Sequence, residues 1–169
     1  MLSFVLLILM AEDITKDTSI NIENGDTISV NYVGKLEDGT IFDTSVKEVA
    51  VEAGIYIQMR NYEPLTFTIG EGQMIKGFDE GVVGMQVGEE KTLTIPPEEA
   101  YGEYREEFVR EIPVDAVDFT PEVGMRLATD SGLTGTITNV NENNFVVDFN
   151  HELAGKTLIF SVKVVSVEK

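Results

Sequence analysis

Apolar and polar residues alternate along several stretches of the chain, and each alternation predicts a strand with one buried face. Over residues 27–36, Ile28, Val30 and Tyr32 fall on one side, with Ser29 and Asn31 opposite. Over residues 65–69, Leu65, Phe67 and Ile69 alternate with Thr66 and Thr68. The pattern returns at residues 91–95, and again at 158–167, where Phe160, Val162 and Val164 alternate with Ser161 and Lys163. Between the second and third stretches the period changes. Phe78, Val82 and Met85 stand at i, i+4 and i+7 and so share one face of a short helix. Gly81 and Gly84 weaken such a helix by roughly 1 kcal/mol each relative to alanine. It must therefore be held by packing against a sheet.

The remaining segments complete the outline. Asp38-Gly39 is a strong hairpin-turn signal because both residues tolerate positive φ, and residues 40–43 return as a second strand. Val46, Val49, Ala50 and Ala53 suit one or two helical turns ending at Gly54. Residues 55–64 read as an irregular crossing segment whose Tyr56, Met59 and Tyr62 serve loop packing. After Gly102 comes a charged link, 103–111, and Ile112-Pro113-Val114 opens a new unit. Within it Gly124-Met125-Arg126-Leu127 begins a strand, residues 134–140 alternate, 141–144 form an asparagine-rich turn, and 145–149 form another strand. This antiparallel piece of roughly 40 residues is small for independent stability. The fold class expected is α+β, an antiparallel β-sheet wrapped around a short helix, with a small mostly-β piece beside it.

Residues 2–10 are apolar apart from Ser3. The run is too short for a bilayer, which needs ~20 residues, and it lacks the basic start and small-residue cleavage site of a secretion signal. Three readings stay open: a true start at Met10, a weak secretion or anchoring segment, or a packed strand or helix. Residues 11–24 look like a flexible acidic leader. No stable membrane span is expected and the default compartment is the cytoplasm, with secretion or tethering open if residues 2–10 are a genuine signal or anchor.

Charge and residue usage narrow the chemistry. The 169 residues carry 30 acidic against 12 basic side chains, a net charge of −18, which argues against a nucleic-acid partner. There is no cysteine and a single histidine, His151, so thiolate chemistry and a multi-histidine metal site are excluded within one chain. No nucleophile-elbow, phosphate-loop or metalloprotease pattern occurs. The pairs Glu89-Glu90 and Glu98-Glu99 read as solvated surface, and GEGQMIKG lacks the spacing of a dinucleotide fingerprint. No cofactor and no metal are expected. What remains is a set of aromatic and apolar residues on separate elements: Tyr32, Phe42, Met74, Ile75, Phe78, Tyr101 and Phe160. Composition alone would make them a core.

The segments VNYVGKLEDGTIFDTS, LTFTIGEGQMIKGFDEGVVGMQVGEEKTLTIPPEEAYG and TLIFSVKVVSV resemble the FKBP-type peptidyl-prolyl cis–trans isomerases in order, spacing and content. The resemblance implies that the aromatic set lines a shallow pocket between helix and sheet. Tyr32 and Phe42 would form one wall, with Asp43 beside the substrate carbonyl. Met74 would follow the glycine turn, and the backbone N–H of Ile75 would hold a ligand carbonyl. Phe78 would form the floor, Tyr101 would offer its hydroxyl at the rim, and Phe160 would close the back. The family's floor residue is often tryptophan; phenylalanine here implies weaker binding of the family's macrolide inhibitors. REIPVDAV, VGMRL and NHELAGKTLIF are similar to the SlyD-like subfamily and its archaeal relatives, in which an inserted module binds unfolded chain. This divides the chain into 1–24, an isomerase domain of 25–105 and 151–169, and an inserted chaperone domain of 106–150. Ile112, Val117, Phe119, Met125 and Leu127 are its candidate client contacts, several of them also its core. His151 is structural in this reading, and the metal-binding tail of some relatives is not carried over. The partners implied are unfolded or partly folded polypeptides with X–Pro bonds, met by a monomer. The alternatives are a non-enzymatic holdase whose pocket has decayed, or a purely structural β-domain.

Overall fold

A computed structural model describes residues 21–129 and 132–169. Two antiparallel sheets organise them. The first contains β1 (Thr27–Leu36), β2 (Ile41–Thr44), β3 (Leu65–Thr68), β4 (Glu90–Ile95) and, last in the chain, β9 (Leu158–Glu168). Its order is β2-β1-β9-β4, with β3 also paired to β1. Strand β1 is long enough to hold β3 along residues 27–30 and β2 along residues 33–35 on one side, and β9 along its whole length on the other. Period-two burial follows the alternation in the sequence: Ile28, Val30 and Tyr32 from β1 meet Leu158, Phe160, Val162 and Val164 from β9. The fold class is α+β, as the patterning implied.

Helix α2 (Lys76–Gly81) lies against β4. Glycine is required at this contact for a reason propensity cannot show. A Cβ at Gly81 would come within 2.8 Å of the Leu93 side chain, and one at Gly77 would strike Ile95. The helix is shorter than the i, i+4, i+7 spacing suggested. It ends at Gly81, with Val82 as its C-cap residue, and Met85 reaches the same core after a turn through Gly84 at φ +82°. Helix α1 (Lys47–Glu52) buries Ala50 and ends before Gly54, as the pattern indicated.

The second sheet has the order β5-β8-β7-β6, from β5 (Val109–Pro113), β6 (Arg126–Ala128), β7 (Thr134–Val140) and β8 (Asn144–Asp148). It buries Ile137, Phe145 and Val147, with Ile112, Val114, Val117, Phe119, Leu127, Val140 and Phe149 packed partly against them.

Two expectations need correction. Residues 21–24 are not a loose leader: Ile22 is buried in the first core, its N–H donates to the Met85 carbonyl at 2.9 Å, and its carbonyl accepts from Gly84 at 2.8 Å. One apolar residue among polar neighbours gives no period, so patterning missed it. The earlier leader residues and the run at 2–10 lie outside the described residues. The charged link 103–111 also ends sooner than expected, because β5 starts at Val109, opposite Asp148 of β8. Strand pairing there overrides a charged composition. Among the described residues no helix is long and apolar enough to cross a membrane.

Candidate active site

Between α2 and the concave face of the first sheet is a cavity of about 520 Å³. Tyr32, Phe42, Asp43, Met74, Ile75, Phe78, Tyr101 and Phe160 all line it, together with Leu65, Gln73, Lys76 and Ala100. The structure therefore brings every sequence-derived site residue to one place. The rings support one another edge to face: Phe78 and Phe160 have centroids 5.1 Å apart at 83°, and Phe42 and Phe160 5.5 Å apart at 89°. Such geometry matches the positive rim of one ring to the negative face of the next. Tyr32 meets Phe78 at 6.2 Å, and Phe67 backs Phe78 at 5.8 Å. Phe78 thus belongs to the core as well as to the cavity lining, at 1% exposed. Gly34 in β1 leaves the room these rings need, since a Cβ there would lie 2.7 Å from Phe160 and 2.8 Å from Phe42.

Tyr32 is fixed at both ends. Its backbone N–H donates to Ser45 Oγ at 2.9 Å, and its carbonyl accepts from Thr44 Oγ1 at 2.7 Å and from the Ser45 N–H at 3.1 Å. Its hydroxyl donates to Asp43 Oδ2 at 2.6 Å. Burial, then the hydrogen bond and charge of Asp43, push the Tyr32 phenol up to about 12, against a smaller opposing pull from Arg60. Asp43 Oδ1 accepts from the Thr44 N–H at 2.9 Å and from Arg60 Nη1. Both carboxylate oxygens thus hold protein partners.

Arg60 is the residue the sequence did not reveal. Its Nη1 pairs with Asp43 and its Nη2 donates to the Tyr32 hydroxyl at 3.0 Å. The hydrogen bond to Asp43 raises its already high pKa. The guanidinium also lies 5.3 Å from the Tyr62 ring, which stacks on Tyr56 at 5.5 Å. Tyr56 and Tyr62 do pack the loop, as expected, while Met59 stands 92% exposed. The one available signal was a lone arginine set among tyrosines; nothing in the spacing linked it to Asp43.

Ile75 is the N-cap residue of α2. Its carbonyl accepts from Phe78 and Asp79 at 3.0 and 3.1 Å, and its own N–H has no partner among the described residues. Tyr101 stands at the rim, 42% exposed, with its ring flat on that of His151. Burial first, then the charges of Asp43 and Glu152, raise its phenol pKa above the ordinary tyrosine value, at which the hydroxyl is already a donor near neutral pH. Among the described residues no group of three or more histidine and carboxylate side chains is placed to hold a metal ion.

The model of the family described as FKBP-type peptidyl-prolyl cis-trans isomerase matches residues 18–165. The chain is 47% identical over 150 residues to the short-type peptidyl-prolyl cis-trans isomerase of Methanocaldococcus jannaschii, covering 87% of this chain and 94% of that one. It is 36% identical over 147 residues to the FKBP-type peptidyl-prolyl cis-trans isomerase SlyD of Pasteurella multocida, covering 84% and 67%. It is 35% identical over 153 residues to the SlyD of Vibrio cholerae, covering 88% and 69%.

Proposed function

The chain belongs to the FKBP-type peptidyl-prolyl cis-trans isomerases, and from that premise we propose that the cavity under α2 is where it turns X–Pro bonds in folding polypeptides. The observation that carries the reading is the convergence on one aromatic-walled cleft of all eight residues that the resemblance implied. Amide resonance sets a barrier of ~18–20 kcal/mol to rotation about the bond. Rotation breaks the resonance, so the twisted imide is less polar than the flat one. An apolar cleft favours the twisted form, which is differential binding of the transition state with no nucleophile. Tyr32, Phe42, Phe78 and Phe160 grip the proline ring, the Ile75 N–H takes a flanking carbonyl, and Tyr101 donates at the rim. Asp43 acts by orienting Tyr32 and Arg60, since its oxygens are already engaged.

The second sheet is read as a module, residues 106–150, that holds unfolded chain beside the cleft. Phe108, Val123, Met125 and Leu133 are exposed on or around it, Val123 at 66% and Leu133 at 59%. Of the residues named from sequence for this role, Met125 is among the exposed ones, whereas Ile112, Val117, Phe119 and Leu127 pack inward. Tethering raises the local substrate concentration without changing the chemistry.

One experiment tests both halves. Replacing residues 106–150 by a short loop should spare turnover of a proline tetrapeptide but slow catalysis of a refolding protein. Phe42→Ala should lower both. Unchanged tetrapeptide turnover in Phe42→Ala would refute the cleft, and equal refolding catalysis without residues 106–150 would refute the tether.

A further inference from the structure

Tyr101 leans on a residue that does not line the cleft. Its ring centroid lies 3.9 Å from that of His151, with the planes 2° apart. His151 is fixed in turn. Its Nδ1 accepts the Leu153 N–H at 3.1 Å, and its carbonyl accepts the Ala154 N–H at 2.9 Å. With Nδ1 accepting, a neutral ring carries its proton on Nε2. The chain leaving for the second sheet and the chain returning from it are clasped on both sides of this stack. Asn150 accepts the Arg105 N–H and donates to the Arg105 carbonyl, both at 2.9 Å. The Gly155 N–H donates to the carbonyl of Gly102, next to Tyr101, at 2.8 Å. A half-exposed tyrosine has more than one rotamer open to it unless a neighbour selects one.

We propose that His151 is a positioning residue for the isomerase site, acting through Tyr101. It touches no substrate. By stacking, it holds the Tyr101 ring in the orientation that walls the cleft, so the rim is set by the segment returning from β8. The proposal rests on the cleft being the isomerase site.

His151 makes two separable contacts, and substitutions can remove one at a time. In the full chain, His151→Asn keeps a side-chain acceptor for Leu153 and loses the ring. His151→Phe keeps a ring for Tyr101 and loses the acceptor. Tetrapeptide kinetics and melting temperature are measured on both, with the NMR signals of the Tyr101 ring. The expected result for His151→Asn is a fall in kcat/KM of about threefold to tenfold, carried mostly by KM, at a nearly unchanged melting temperature. His151→Phe should return kcat/KM to within about twofold of the parent while melting lower. The Tyr101 ring signals should keep one ordered environment in His151→Phe and average in His151→Asn. A purely structural role for His151 predicts the opposite ranking of the two variants, and either that ranking, equal impairment or no impairment overturns the proposal. Phe42→Ala serves as the control. If it lowers turnover while His151→Asn does not, this inference alone fails; if it too has no effect, the cleft assignment fails with it.

Discussion

Among the described residues the two sheets bury apolar residues in different numbers, sixteen in the core of the first and three in that of the second. Behind the first lies a core running from Ile22 to Val164, and the cleft is the place where that core opens. Its rings are braced from behind, Phe78 by Phe67 and Phe160 by both Phe78 and Phe42. The second sheet closes over Ile137, Phe145 and Val147 and leaves Val123, Met125 and Leu133 facing outward. A deep core can hold aromatic walls rigid while leaving them open to solvent, which suits selection of one bond geometry. A core of three buried residues is thin and holds its surface less firmly. Exposed apolar side chains are not confined to it, since Ile57 and Met59 stand out from the first region as Val123 and Leu133 do from the second. The proposed function divides a rigid cleft and client contact between these two parts of one chain.

The largest effect should come from emptying each core in turn. Phe78→Ala removes a fully buried ring, a change that costs about 3–5 kcal/mol in comparable cores. Against a typical domain stability of roughly 5–15 kcal/mol, that loss should lower the urea midpoint sharply and abolish tetrapeptide turnover. Phe145→Ala should remove a similar share from a piece too small to absorb it. The expected outcome is local unfolding of β5–β8, seen as fast amide exchange there, with tetrapeptide turnover within about twofold of the parent. If Phe145→Ala instead unfolds both sheets together, the two regions are one cooperative unit and the division of labour is wrong.

How much of this could be read from residue order differs between the same two regions. The strands of the first sheet were legible because period-two burial holds as far as Gly34 in β1 and from Leu158 to Val164 in β9. The site was legible through resemblance, since rings at positions 32, 42, 78, 101 and 160 look like ordinary core to any periodicity argument. What escaped was non-local or non-periodic. Ile22 docks through two backbone bonds, Gly34 is required by rings far along the chain, and Arg60 reaches Asp43 across an irregular loop. In the second sheet the sequence marked apolar positions but not their facing. Val123 and Leu133 sit in turns where no alternation tells inside from outside.

A middle-sized effect probes how the cleft is held. Arg60→Ala releases both Asp43 and the Tyr32 hydroxyl. The ion pair is about one-third exposed, so its loss should cost stability no more than about 1 kcal/mol. Turnover should fall further than that implies, by about fivefold, because Tyr32 loses a partner that aims it into the cleft. Arg60→Lys should not restore it, since a single ammonium cannot serve both acceptors with the guanidinium's fork. Full rescue by lysine would mean that only the charge matters, and the first region would owe less to fixed geometry than the comparison supposes. A control arginine on β5 of the second region, removed in Arg110→Ala, should leave tetrapeptide kinetics untouched.

The smallest effect separates burial from pairing as causes of a raised phenol pKa. Tyr32 is raised to about 12 chiefly by burial, with Asp43 second. Tyr104, at the junction with the second sheet, is raised chiefly by its hydrogen bond to Asp148. A folded-state value above the unfolded one, which is about 10 for tyrosine, means the folded protein binds that proton more tightly. The stability linked to Tyr32 is therefore fully present below pH ~10 and is lost as pH rises through about 12. In a tyrosinate absorbance titration Tyr32 should ionise well above the ordinary tyrosine range. Asp148→Asn should remove most of the Tyr104 shift. Asp43→Asn should lower Tyr32 only part of the way, because the dry wall around it remains. A return of Tyr32 to the ordinary tyrosine range in Asp43→Asn would show that water already reaches it, and the cleft would then lack the apolar character that the proposed preference for a twisted imide requires.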